Sequence, residues 1–271
     1  MHAYLEAIWN CRFFWLSLVK MDLRSRYRGS MLGIGWSLVH PIAMTAILCV
    51  VFRVVFRQKL STYAPLVFTG FTFWGFFGAA VVQGCGCFFQ GESYIRQYPA
   101  PMAIYPLRNI LGAAFHFSIG LLLAILIGLV YGPDTDLAPS ATRVHQLLAM
   151  PSLLPSCLLL LLFGWSLSVL SGLLSVRFRD TRHLAEIALQ GLFYLTPVMY
   201  RIETFQSKHR LTLLLRCNPL VSFLDLIRDP ILLGRIPTLT TYAIAASVVL
   251  LLTLVAILAL WFEERKLIFY L

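Results

Sequence analysis

Residues 236–266 read IPTLTTYAIAASVVLLLTLVAILALWFEERK, and from 236 to 262 they carry no charge. A helix rises about 1.5 Å per residue, so about 20 apolar residues cross the roughly 30 Å of hydrocarbon in a bilayer. This stretch is long enough. Arg235 closes it on one side and Glu263-Glu264-Arg265-Lys266 on the other. One membrane span is the simplest reading, and it sets the class of the whole chain if the pattern repeats.

The pattern repeats. Moving back along the chain, runs free of Asp, Glu, Lys and Arg cover 146–176, 109–133, 64–89 and 31–52. With their flanks they predict spans at about 31–56, 64–89, 107–131, 146–176 and 237–262. A shorter apolar run, 183–200, holds Glu186 near its start and is taken as a sixth span. The expected fold is therefore all-α and integral to a membrane, with six transmembrane helices over 31–271. Composition agrees. Of 271 residues, 59% are hydrophobic and only 13% charged, against roughly 25% charged in soluble domains. Mean hydropathy is +0.79.

Between the spans the segments differ in kind. Residues 1–30 mix Trp9, Phe13, Phe14 and Trp15 with Arg12, Lys20, Arg24, Arg26 and Arg28. Rings beside long basic side chains suit a helix in the membrane interface. Arg12 and Lys20 interrupt its apolar face, which points to partial burial against protein. No cleavage pattern follows, so no removable signal peptide is expected. Residues 92–99 are polar and closed by Pro99 and Pro101, so a short isolated helix is expected there. Residues 201–235 are too polar for a span and too apolar for a plain loop. Helices that dip into one leaflet or lie along it fit such a segment.

The net charge of +10 would suggest nucleic acid in a soluble protein. Here it fits anionic headgroups or an anionic substrate, and no nucleic-acid partner is expected. The positive flank before residue 30 places the N-terminus in the cytoplasm, and an even span count puts the C-terminus beside it. The six cysteines, Cys11, Cys49, Cys85, Cys87, Cys157 and Cys217, fall mostly in apolar runs and read as buried thiols. No metal site is expected: Cys85-Gly-Cys87 lacks ligand spacing, and His183 with Glu186 lacks a third ligand. His40 and His116 lie within spans, where ionisable groups are functional candidates, although a neutral hydrogen-bonded histidine is the simpler reading.

Four motifs carry a resemblance. They are Arg26-Tyr27-Arg28-Gly29-Ser30-Met31-Leu32-Gly33-Ile34-Gly35-Trp36 with Pro41, then 176–184 (VRFRDTRHL), then 195–200 (LTPVMY), and then Asn218-Pro219-Leu220 followed by Arg228 and Gly234. In this order, over nearly the whole chain, they resemble the ABC-2 permeases that export O-antigen, capsule and teichoic acid. The resemblance implies the permease subunit of an ATP-driven exporter of lipid-linked polysaccharide in the bacterial inner membrane. It implies a homodimer with two copies of a separate ABC ATPase. It identifies 92–99 with the coupling helix, through Glu92, Ser93, Tyr94, Ile95, Arg96 and Tyr98, and 201–235 with outer re-entrant helices. The family usually has a basic residue after the proline that ends the coupling segment, whereas Ala100 follows Pro99 here.

The chain has no ATP site of its own. A P-loop needs Gly-Lys-Ser/Thr, and none of Lys20, Lys59, Lys208 and Lys266 follows a glycine. No catalytic residue is expected, and ATP and magnesium belong to the partner. Arg24, Arg26, Tyr27 and Arg28 would meet the lipid diphosphate, although a plain positive-inside anchor fits the same arginines. Trp36, Phe71, Trp74, Phe193 and Tyr194 would line the polymer path, although helix packing also explains them. Two other functions stay open: an ABC-2 permease for a small hydrophobic compound, and a polyprenyl-phosphate-dependent glycosyltransferase using Asp134-Thr135-Asp136. ATPase co-purification separates enzyme from transporter, and accumulation of lipid-linked polymer separates the two cargoes.

Overall fold

The computed structural model describes residues 2–56, 59–97, 100–134, 137–202, 215 and 217–270, and among these every regular element is helical. Two helices, α1 (His2–Asn10) and α2 (Arg12–Tyr27), occupy the basic aromatic N-terminal segment. The long helices follow: α3 (Trp36–Phe56) and α4 (Leu60–Gly78), then α6 (Ile104–Tyr131) after the short α5 (Glu92–Gln97). Next come α7 (Arg143–Ala149), α8 (Leu153–Arg177), α9 (Thr181–Leu195), α10 (Pro219–Arg228) and α11 (Leu239–Tyr270).

Five stretches are long and apolar enough to cross a membrane: Gly33–Val54, Leu60–Gly86, Ile104–Tyr131, Arg143–Arg177 and Leu239–Glu264. The sixth apolar run forms α9, 15 residues long. At 1.5 Å per residue that is roughly 22 Å, short of the hydrocarbon thickness.

Both termini lie at one end of the bundle. Tyr4 on α1 donates from its hydroxyl to Glu264 near the end of α11 at 2.9 Å, and Arg177 at the end of α8 pairs with Glu263 at 3.5 Å. Burial and the neighbouring Glu264 carboxylate push the Tyr4 phenol well above its usual range, so it stays a donor. The α9 helix starts at this end. By residue 201 the chain has reached the other end, where Arg201 pairs with Asp134 in the loop after α6. On the way Tyr63, in the first turn of α4, donates to the Met199 carbonyl at 3.0 Å.

The centre is α4, buried continuously from 63 to 70. An all-apolar helix can face lipid or protein, and here α4 is enclosed by protein while α3 and α11 leave most of their surface outward. Helix α10 joins it there. Phe223 stacks on Phe163 of α8 with centroids 4.2 Å apart, and Phe163 stacks on Phe77 of α4 at 5.9 Å. Lipid tails are as apolar as these rings, so their gain is close packing and stacking geometry rather than removal from water.

The polar segment 201–235 therefore sends a helix into the bundle instead of along its surface. Of this segment, 203–214 and 216 lie outside the described residues.

Candidate functional site

The site starts from a turn. Helix α2 ends at Tyr27, and Gly29 takes φ +80, a left-handed conformation that a side chain would strain. The chain then reverses into α3. Ser30 Oγ accepts from the Gly33 backbone N–H at 3.2 Å and helps hold the turn. This gives the glycines of the N-terminal motif a mechanical reason.

Two polar ties fasten α2 to the bundle. Arg108, buried at the start of α6, grips Asp22 with two parallel bonds; Nε donates to Oδ2 at 2.5 Å and Nη2 to Oδ1. Tyr27 Oη, Ser37 Oγ and His116 Nδ1 form a triangle with edges of 2.7, 2.9 and 2.9 Å. These three residues come from α2, α3 and α6. Arg26 adds a longer bond, 3.4 Å, to Gln83 Oε1.

The ties leave a hollow on each side of Tyr27. On one side a groove of about 1080 Å³ is lined by Lys20, Arg24 and Arg28 together with Leu23, Ile34 and Phe115. Positive charge beside an apolar wall suits an anionic lipid headgroup. On the other side a cavity of about 340 Å³ is lined by Arg26, Tyr27, Trp36, Ser37, His40, Phe71, Gln83 and His116. The structure thus divides the four residues proposed for the diphosphate: Arg24 and Arg28 face the groove, Arg26 faces the cavity, and Tyr27 lines both.

The five aromatic residues fare differently. Phe193 stacks on Phe71 at 5.8 Å and meets Trp74 edge-on at 5.3 Å, with Tyr194 next to it at 5.5 Å. His40 meets Phe71 at 6.2 Å and extends this ladder to the cavity. Trp36 is 55% exposed and stands apart at the cavity rim.

In α5, Arg96 and Glu92 pair one turn apart at 3.0 Å on the exposed side, with Ser93 and Gln97 beside them. Ile95 points inward and is buried. Tyr94 packs edge-on against Phe14 of α2 at 5.9 Å. Tyr98 lies outside the described residues. His183 and Arg182 both contact Glu186 at the exposed start of α9. No cluster of three metal-ligating side chains occurs among the described residues. Asp134 is buried and paired with Arg201, and its neighbours at 135 and 136 lie outside the described residues.

Sequence reading named Tyr27 and singled out His116, but it missed Ser37, Gln83, Asp22 and Arg108. One signal was available: Asp22 is the only acid in the basic run 12–28, and Arg108 is a lone charge at the head of a long apolar run.

The motifs at 195–200 and 218–234 meet one another against α4. The Arg228 guanidinium donates to the carbonyls of Pro197 and Val198, both at 2.6 Å, and of Leu66 at 2.9 Å. Asn218 caps α10 by accepting from the Leu220 backbone N–H at 3.0 Å, while its amide donates to Thr196 Oγ1 at 3.0 Å. The motifs at 195–200 and 218–234 are therefore one hydrogen-bonded unit. Position 70 must be glycine for this unit to seat, because a Cβ there would stand 2.8 Å from Arg228 Nη2.

Comparison with known proteins matches residues 14–232 to the family described as ABC-2 type transporter. The chain is 25% identical over 267 residues to the O-antigen export system permease protein RfbA of Myxococcus xanthus, covering 97% of this chain and 96% of that one. Two Klebsiella pneumoniae proteins of the same name are 25% identical over 221 residues and 24% identical over 207 residues. They cover 81% and 76% of this chain, and 80% and 75% of their own lengths.

Proposed function

Because the chain belongs to the ABC-2 type transporter family, we propose that it is the permease subunit of an ATP-driven exporter of lipid-linked polysaccharide of the O-antigen class. The relatives that match end to end are O-antigen export permeases by name. The observation that carries the substrate class is the basic groove joined, across Tyr27, to a polar cavity and an aromatic ladder. A lipid diphosphate with sugars attached has the matching order of parts.

In this reading α9 and residues 196–201 form a sixth crossing of the inner membrane, and α10 is a re-entrant helix from the outer face. Both termini are then cytoplasmic, and α5 lies at the inner surface as the coupling helix. Energy comes from ATP and magnesium on two copies of a separate ABC ATPase. Two permease chains pair so that α3 and α9 flank the path. The exposed Gln190 in the third turn of α9 supports this, because a polar side chain facing lipid at that depth is costly. Closure of the ATPases pushes α5, and α2, in contact through Tyr94, transmits the push to α3.

Deletion of the gene tests the reading. Lipid-linked polymer should build up on the cytoplasmic leaflet and disappear from the cell surface, and the intact gene should reverse both. Normal surface polymer after deletion would overturn it.

A further inference from the structure

We propose that the cavity beside Tyr27 binds the first sugar of the lipid-linked substrate, the residue attached to the diphosphate, while the diphosphate itself lies in the basic groove. This rests on the exporter reading above and assigns to it a specific recognition site.

The lining of the cavity is what a sugar needs. Tyr27, Ser37, Gln83 and His116 offer groups that both donate and accept. Sugar hydroxyls do the same. Trp36 and Phe71 supply flat rings for the apolar face of a pyranose. Arg26 is the only formal charge on this wall, whereas three cations line the groove, so the anion belongs in the groove and the neutral polyol in the cavity.

Size points the same way. About 340 Å³ is near the lower end of small-molecule pockets, roughly 300–1,000 Å³. It suits one or two sugar residues and not a length of polymer. Position does too, since Tyr27 lines both hollows and a ligand held in both would straddle its ring. Tyr27, Ser37 and His116 satisfy each other at 2.7 to 2.9 Å. A sugar hydroxyl can replace any one of these half-buried partners without leaving a polar group unpaired. The permease would then read the linkage shared by every chain it exports, whatever repeat follows.

Binding to the full-length chain in lipid nanodiscs tests this, with two probes. One is a short-chain polyprenyl diphosphate bearing a single N-acetylhexosamine, and the other is the same diphosphate without sugar. The sugar-bearing lipid should bind about tenfold tighter, the worth of one or two hydrogen bonds and a stacked ring. Trp36→Ala and Gln83→Ala, both at exposed positions, should bring the two affinities together while binding of the bare diphosphate is kept, and unchanged thermal unfolding checks that each variant is folded. Replacing Arg24 and Arg28 together by glutamine should weaken both probes. Equal affinities in the unaltered chain would overturn the sugar site alone, as would an undiminished preference in Trp36→Ala and Gln83→Ala. If neither probe binds, the exporter reading falls with it.

Discussion

Replacing Arg228 by methionine removes the donors from three backbone carbonyls at once. Each buried carbonyl left unpaired costs about 1–3 kcal/mol, so Arg228→Met should lower stability by about 3 kcal/mol or more, read as an earlier thermal unfolding in detergent. Arg228→Lys keeps the charge but loses the planar fork, and should fall between the two. Gly70→Ala should act on the same joint by pushing Val198 and the guanidinium away, at about 1–3 kcal/mol. The pair of Asp22 and Arg108 behaves differently. Asp22→Asn strands a buried cation and should cost about 3–5 kcal/mol, whereas replacing both residues by leucine should restore most of it. A double-mutant cycle on unfolding would show that coupling. Little of this was legible in the sequence. Arg24 and Arg28 announce themselves as a basic cluster. Ser37, Gln83 and His116 are single polar residues in apolar runs, and only the packing of α2, α3 and α6 brings them together.

Helix α5 has two faces, one exposed and carrying an ion pair, the other buried at Ile95. Exchanging Glu92 and Arg96 for one another keeps their ion pair and reverses the pattern on the exposed side. In reconstituted complexes this exchange should leave the bundle as stable as before while ATP hydrolysis no longer drives export. Ile95→Ala should do the opposite, losing about 2–5 kcal/mol of stability through a core cavity. Unchanged export in the exchange variant would remove α5 from the coupling route. The position of α5 was plain from its prolines, which end any helix there. The path of α10 was not. Its sequence mixes Asp225, Arg228 and Asp229 with apolar residues, and that mixture fits a helix lying along the leaflet as well as one dipping into it until Leu66 and residues 197–198 are seen beside the guanidinium. Helix α9 was legible as an apolar run but not as a short one, because residues 196–200 leave the helix as turns and bends.

At the level of the whole molecule, five long helices follow from charge-free length alone, and the arrangement of the rest follows from polar ties. Pairing of two chains along α3 and α9 predicts a particular wetting pattern. With Cys217, the exposed native thiol, replaced by serine, a cysteine at position 190 should react with a membrane-impermeant thiol reagent. One at the exposed position 250 on α11 should not, because lipid covers it. Equal reactivity would place α9 against lipid and end the case for a path beside it. The Arg228 joint also has a consequence in time. Ribosomes build the chain from its N-terminus, so Leu66, Pro197 and Val198 are made before the residue that binds their carbonyls. Until codon 228 has been read, the end of the sixth apolar run is held by Tyr63 at Met199 and by Arg201 at Asp134, while the carbonyls of Pro197 and Val198 wait for their donor. The joint between α4, residues 197–198 and α10 is thus closed late, by one arginine in the last fifth of synthesis.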